Sequence, residues 1–192
     1  MPDDGLPVLG PGSPAEWDAW LTDHHADSAG LWLKIPRKGS GAPGVSYADA
    51  LSIALCHGWI DGQKGRLDDR YWLQRFTPRK PASKWSRINR EQASALIEAG
   101  RMRPPGLREV ERARADGRWA AAYESQSTAA VPEDLARALD GNDAAREFFA
   151  TLDRANRYAI LYRVAEAKRP ETRARRIATF VTMLSEGKKV HP

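Results

Sequence analysis

A chain of 192 residues with 42% apolar and 29% charged content is long enough to bury one sizeable core and short for two independent ones. Its longest apolar runs, such as residues 50–56, fall far short of the ~20 residues a membrane helix needs, and its acidic start lacks a positive n-region, so a cytoplasmic protein with no membrane insertion is expected. The single cysteine, Cys56, excludes an internal disulfide and a Cys-pair zinc site, and its helical setting reads as core packing ahead of a reactive thiol.

The first predicted element is a short helix opened by Ser13, Pro14 and Glu16 before Trp17, Trp20 and Leu21. Residues 30–38 alternate Leu31, Leu33 and Ile35 against Trp32 and Lys34, the period of a strand with one face on a core. After a Gly-rich loop at 39–45, Ser46 and Asp49 form a second capping box for a helix running to about His57 and stopped by Gly58. Residues 59–77 read as a hairpin. A helix from Ser83 to Ala99 ends on Gly100, and the break at Pro104-Pro105-Gly106 precedes another over 107–115, ended by Gly117. Residues 124–131 read as a linker. Beyond Pro132 the pattern is helical: 132–140, a helix capped by Asn142, 157–167, and 170–186 with Ile177, Phe180, Val181 and Leu184 on one stripe. The fold class expected is α+β, a small antiparallel or mixed sheet covered by helices over residues 1–123, with an all-helical C-terminal part over 132–192 packed on it.

The net charge of +5 is unevenly spread. Lys and Arg against Asp and Glu number 3 to 8 in residues 1–62, 15 to 7 in 63–120, 4 to 7 in 121–162, and 8 to 3 in 163–192. Such blocks either neutralise one another or leave a basic surface facing a ligand. The densest chemistry lies where the hairpin gives way to the next helix. Arg75, Arg79, Lys80, Lys84 and Arg87 surround Trp85, with Ser83 and Asn89 beside them. Arginine presents a fork for carboxylate or phosphate, Trp a flat face, and helix first-turn amides attract anions, so a small anionic or aromatic molecule is the expected ligand. The plain alternative is that Trp85 anchors the core while the arginines pair with acids of residues 1–62.

His57 and Asp61 flank Trp59 and form the best acid/base pair in the chain. Their bland readings are a helix C-terminal cap for His57 and a local amide cap for Asp61. The four histidines have no metal-ligand spacing, no nucleotide-type Gly loop is present, and no cofactor is implied. Lys168, Arg169, Arg173, Arg175 and Arg176 crowd the start of the last helix, against its dipole. An acidic partner within the chain is favoured there, and nucleic acid is the less favoured possibility.

Taken as a set, Gly58-Trp59-Ile60-Asp61-Gly62, Phe76-Thr77-Pro78-Arg79, Ser83-x-Trp85-Ser86-x-x-Asn89, Gly100-x-Met102, Pro105-Gly106-Leu107, Gly117-Arg118-Trp119 and Ala122-Tyr123 resemble the bacterial YdeI/OmpD-associated family. The resemblance extends through Ala167-Lys168-Arg169-Pro170-Glu171-Thr172-Arg173 and Arg175-Arg176-Ile177, covering about Trp17 to Lys189. It implies a bacteriocin-protection or OmpD-associated role and carries over no catalytic residues. The leading expectation is therefore a cytoplasmic protein that binds an organic anion at the cationic, Trp-lined junction. The alternatives are an enzyme using His57 and Asp61, with Arg79 holding its substrate, and nucleic-acid binding through residues 163–189.

Overall fold

The computed structural model describes residues 4–124 and 129–192, which divide into two compact units, Met1–Ala122 and Tyr123–Pro192. Of the expected linker 124–131, residues 125–128 lie outside the described residues. The first unit runs β1 (Val8–Leu9), α1 (Pro14–His24), β2 (Leu31–Pro36), α2 (Tyr47–Cys56), β3 (Trp59–Arg66), β4 (Tyr71–Pro78), α3 (Arg87–Glu98) and α4 (Pro104–Ala115). Its strands form a mixed sheet in the order β1-β2-β4-β3, with β1 parallel to β2 and the other pairs antiparallel. With the helices, this is the α+β architecture the sequence predicts.

Local sequence sets most boundaries. Ser13 and Ser46 cap α1 and α2, each accepting the backbone amide three residues on, Glu16 and Asp49. Gly58 ends α2 at φ +75°, a conformation L side chains rarely adopt. Leu31, Leu33, Ile35 and Phe76 bury one sheet face against Trp17 and Leu21 of α1 and Leu51, Ala54 and Leu55 of α2. Gly106 opens α4 against the end of α2: a Cβ there would collide with Cys56 O and stand 2.7 Å from Leu55 O, so only glycine permits the approach.

Three expectations change. The helix expected from Ser83 begins instead at Arg87, because Ser83 N donates to Lys80 O (2.8 Å) and Ser83 Oγ accepts from Lys80 N (2.9 Å), closing a turn over Pro81 and Ala82. The cap falls to Ser86, whose Oγ accepts from Asn89 N. The break at Pro104-Pro105 is the first turn of α4, where a missing N–H costs nothing. Trp32, expected on the polar side of β2, is buried at 4% exposure and donates through Nε1 to Asp4 Oδ1 at 2.8 Å.

The second unit is all helical: α5 (Glu133–Asp140), α6 (Asp143–Thr151), α7 (Arg154–Glu166) and α8 (Pro170–Ser185). Leu135, Leu139, Phe149, Ile160, Val164, Ile177, Phe180 and Leu184 form its core. Asn142 caps α6 as predicted, while Asp153 starts α7 earlier than expected by accepting Asn156 N. No helix among the described residues is long and apolar enough to cross a membrane.

Candidate functional site

The turn at residues 80–83 places the predicted cationic residues in different environments. Arg79 leaves the end of β4 with its backbone amide on Gly58 O (3.0 Å), and its side chain is buried at 6% exposure. Its guanidinium carbon lies 3.5 Å from the centroid of Trp85, itself 2% exposed, and Nη1 donates to Lys84 O at 3.3 Å. A guanidinium stacked on an indole is attracted by the ring's negative face, and more strongly once both are out of water. Trp119 meets Trp85 edge-on at 4.8 Å, and Arg90 Nη1 donates to Trp119 O. Arg118 grips Asp116 through Nε and Nη2 and donates through Nη1 to Ser83 O at 2.6 Å, which pins the turn. Trp85 Nε1 is buried with no hydrogen-bond partner among the described residues.

Around this stack Lys80 is exposed, and Arg87 Nε reaches Glu91 at 2.8 Å. Asn89 contributes its backbone amide to the Ser86 cap. Arg75 stands apart on β4, opposite Trp32 and 3.4 Å from Asp4. Arg79, Lys80, Ser83, Trp85 and Asn89 thus share one corner, with Arg118 and Trp119 added. Those two lie in the Gly117-Arg118-Trp119 motif, and no local signal ties them to this corner, because Arg118 stands 35 residues along the chain from Ser83.

His57 and Asp61 have separate partners. His57, 3% exposed, lies 2.8 Å through Nε2 from Asp18 Oδ1, and Asp18 Oδ2 accepts from Arg103 Nη2 at 3.0 Å. Burial lowers the imidazole's pKa below its ordinary value despite the Asp18 carboxylate. For Asp18 burial pulls upward, but the hydrogen bond from His57 and the charge and hydrogen bond of Arg103 together outweigh it and hold the carboxyl low. A neutral imidazole donating from Nε2 to a charged carboxylate satisfies both. Asp61 accepts from the Tyr47 hydroxyl at 2.7 Å, and burial together with that carboxylate pushes the Tyr47 hydroxyl far above its usual range. Trp59, 1% exposed, donates to His25 O and packs edge-on against Trp17 and Trp20. Asp18 and Tyr47 carry no local sequence signal, because each meets its partner only through the fold.

In the helical unit Arg173 holds both oxygens of Asp134 and donates to Val164 O at 2.8 Å, capping the end of α7. Arg176 likewise reaches Arg163 O and lies 3.7 Å from Glu166. Lys168, Arg169 and Arg175 are exposed. Beside Asp134 and Arg173 an apolar groove of about 600 Å³ runs along Ala138, Ile177, Ala178 and Val181.

Residues 10–109, just over half the chain, match the model of a family described as a domain of unknown function, DUF8412. The chain belongs to that family. Residues 128–187 match the model described as bacteriocin-protection, YdeI or OmpD-associated, which bears out the resemblance predicted from sequence over the helical unit. The signature at 167–177 lies within that match, and the motifs from Gly58 to Leu107 lie within the other. No curated protein and no solved structure matches the chain.

Proposed function

We propose that the chain is a cytoplasmic ligand-binding protein of the bacteriocin-protection kind, and that it takes a small organic anion at the corner built by Arg79, Lys80, Ser83 and Trp85. One observation carries the reading: the buried Trp85 indole N–H has no acceptor among the described residues. Leaving such a donor unsatisfied costs about 1–3 kcal/mol. The groups beside it are the Arg79 guanidinium and the turn that presents Lys80, so a negatively charged oxygen is the acceptor that suits both the donor and the local field. Arg79 acts through its charge rather than by contact, since it is already stacked on the ring.

A thermal-shift screen of aromatic carboxylates and phosphate monoesters against neutral analogues tests this. The expected result is stabilisation by anions alone. Trp85→Phe, which keeps a ring and deletes the donor, is expected to weaken the best anion about tenfold, and Lys80→Ala, on an exposed side chain, to weaken it less. Full affinity in both variants, or a screen in which no anion raises the melting temperature, would remove the reading.

A further inference from the structure

A second charged and aromatic cluster lies on the sheet at the start of α2, built from residues the anion site does not use. β3 is irregular: Asp61 pairs with Phe76 and Lys64 with Gln74, with a register shift between them. In a regular strand, residues three apart point to opposite faces. The bulge cancels that alternation, so Asp61 and Lys64 both stand on the face shared by Phe76, Gln74 and Trp72. Gln74 maintains the irregularity. Fully buried, it donates through Nε2 to Gly62 O at 2.9 Å and Gln63 O at 3.2 Å, the two residues displaced by the bulge. The surrounding carbonyls fix which end of the amide is nitrogen, and Oε1 is then a buried acceptor with no partner among the described residues. Bulges of this kind commonly re-aim a side chain next to a binding site.

Lys64 is what the bulge re-aims. Its ammonium lies 5.0 Å from the centroid of Trp72 and 5.6 Å from that of Tyr47, whose rings are 5.8 Å apart and inclined at 46°. Both rings are half-buried, and the lysine itself is exposed. The Tyr47 hydroxyl is tied to Asp61 Oδ2, which orients the ring and places a carboxylate beside it. Two converging aromatic faces and a carboxylate are the set of groups that recognises an organic ammonium ion. The lysine holding that position is on the protein's surface and free to swing into water.

We propose that the Tyr47–Trp72 ring pair, with Asp61 as countercharge, is a binding site for a small alkylammonium ion, and that Lys64 fills it intramolecularly until the ligand displaces it. The proposal is independent of the anion site. Lys64 then behaves as a tethered competitor at an effective concentration in the millimolar range, so removing its charge tightens external binding.

The test titrates the full chain with tetramethylammonium chloride and with n-butylammonium chloride, against sodium chloride at equal ionic strength and against the neutral isostere 3,3-dimethylbutan-1-ol. The Trp72 indole N–H resonance reports occupancy. Saturable shifts from the ammonium ions only are expected, with affinity rising about tenfold in Lys64→Met and lost in Trp72→Leu. Asp61→Asn, which keeps the side-chain shape, is expected to weaken binding even if Trp72→Leu fails to fold, while Trp85→Phe leaves it unchanged. Equal binding of the neutral isostere, unchanged affinity in Lys64→Met, or shifts that bypass the Trp72 resonance would each overturn the proposal and leave Lys64 as a cover for the edge of the core.

Discussion

His57 shows how one buried side chain can tie stability to pH. Its imidazole is pushed below the ordinary value of 6.5, chiefly by burial, and it is neutral against the charged Asp18. On acidification below about 6.5 the unfolded chain takes up a proton at this histidine while the folded chain does not, so stability falls as pH falls. Asp18 acts in the same direction at lower pH, because its folded carboxyl resists protonation below the ordinary 3.8. His57→Gln, which can still donate to Asp18, is expected to flatten the fall in melting temperature between about pH 7 and about pH 5 by scanning calorimetry. An unchanged slope would place the acid sensitivity in other groups. The sequence makes His57 conspicuous through its place before Gly58 and offers a helix cap or the nearby Asp61 as its role, yet its partner is 39 residues away and carries no local signal.

Where a boundary is decided inside a few residues, it can be read directly, and the caps at Ser13, Ser46 and Asn142 are of that kind. The start of α3 was not, because Ser83 and Ser86 are equally good caps by type, and the choice falls to Ser86 only once Ser83 is engaged by Lys80 and Trp85 is buried. That choice can be measured. Ser86→Ala is expected to lower stability by about 1 kcal/mol, the usual worth of an N-cap, and Ser83→Ala by less, since Ser83 secures a turn alone. Urea midpoints at constant m-value give the comparison, and a larger loss in Ser83→Ala would return the helix start to Ser83. β1 has no sequence signature because two residues cannot display a period, and the β3 bulge has none because it depends on an amide from the neighbouring strand. The candidate corner was legible as a neighbourhood of Arg79, Lys80 and Trp85, whereas the stacking of Arg79 on the indole is a product of packing that composition does not encode.

At the scale of the whole molecule, the alternating charge blocks contribute ion pairs inside each unit among the described residues. Asp4 meets Arg75 and Asp18 meets Arg103 in the first, joining the acidic start to the basic stretch that follows; Asp134 meets Arg173 and Glu166 meets Arg176 in the second. The family matches fall along the same division, 10–109 in one unit and 128–187 in the other. The helical unit has its own buried core, its own caps at Asn142 and Asp153, and a C-terminal anchor in which His191 N donates to Asn156 Oδ1 at 2.8 Å. A domain of this size buries only about 60% of its unfolded surface, so its stability is small and sensitive to single contacts. Residues 129–192 produced alone are expected to give a cooperative thermal transition by far-ultraviolet circular dichroism. Arg173→Met is expected to lower that transition, because it removes the paired hydrogen bonds to Asp134 and leaves Val164 O uncapped at the end of α7. A gradual, non-cooperative melt of the fragment would show that its core is too small to fold without the rest of the chain, and an unchanged midpoint in Arg173→Met would show that the Asp134 pair contributes nothing to holding α5 and α8 together.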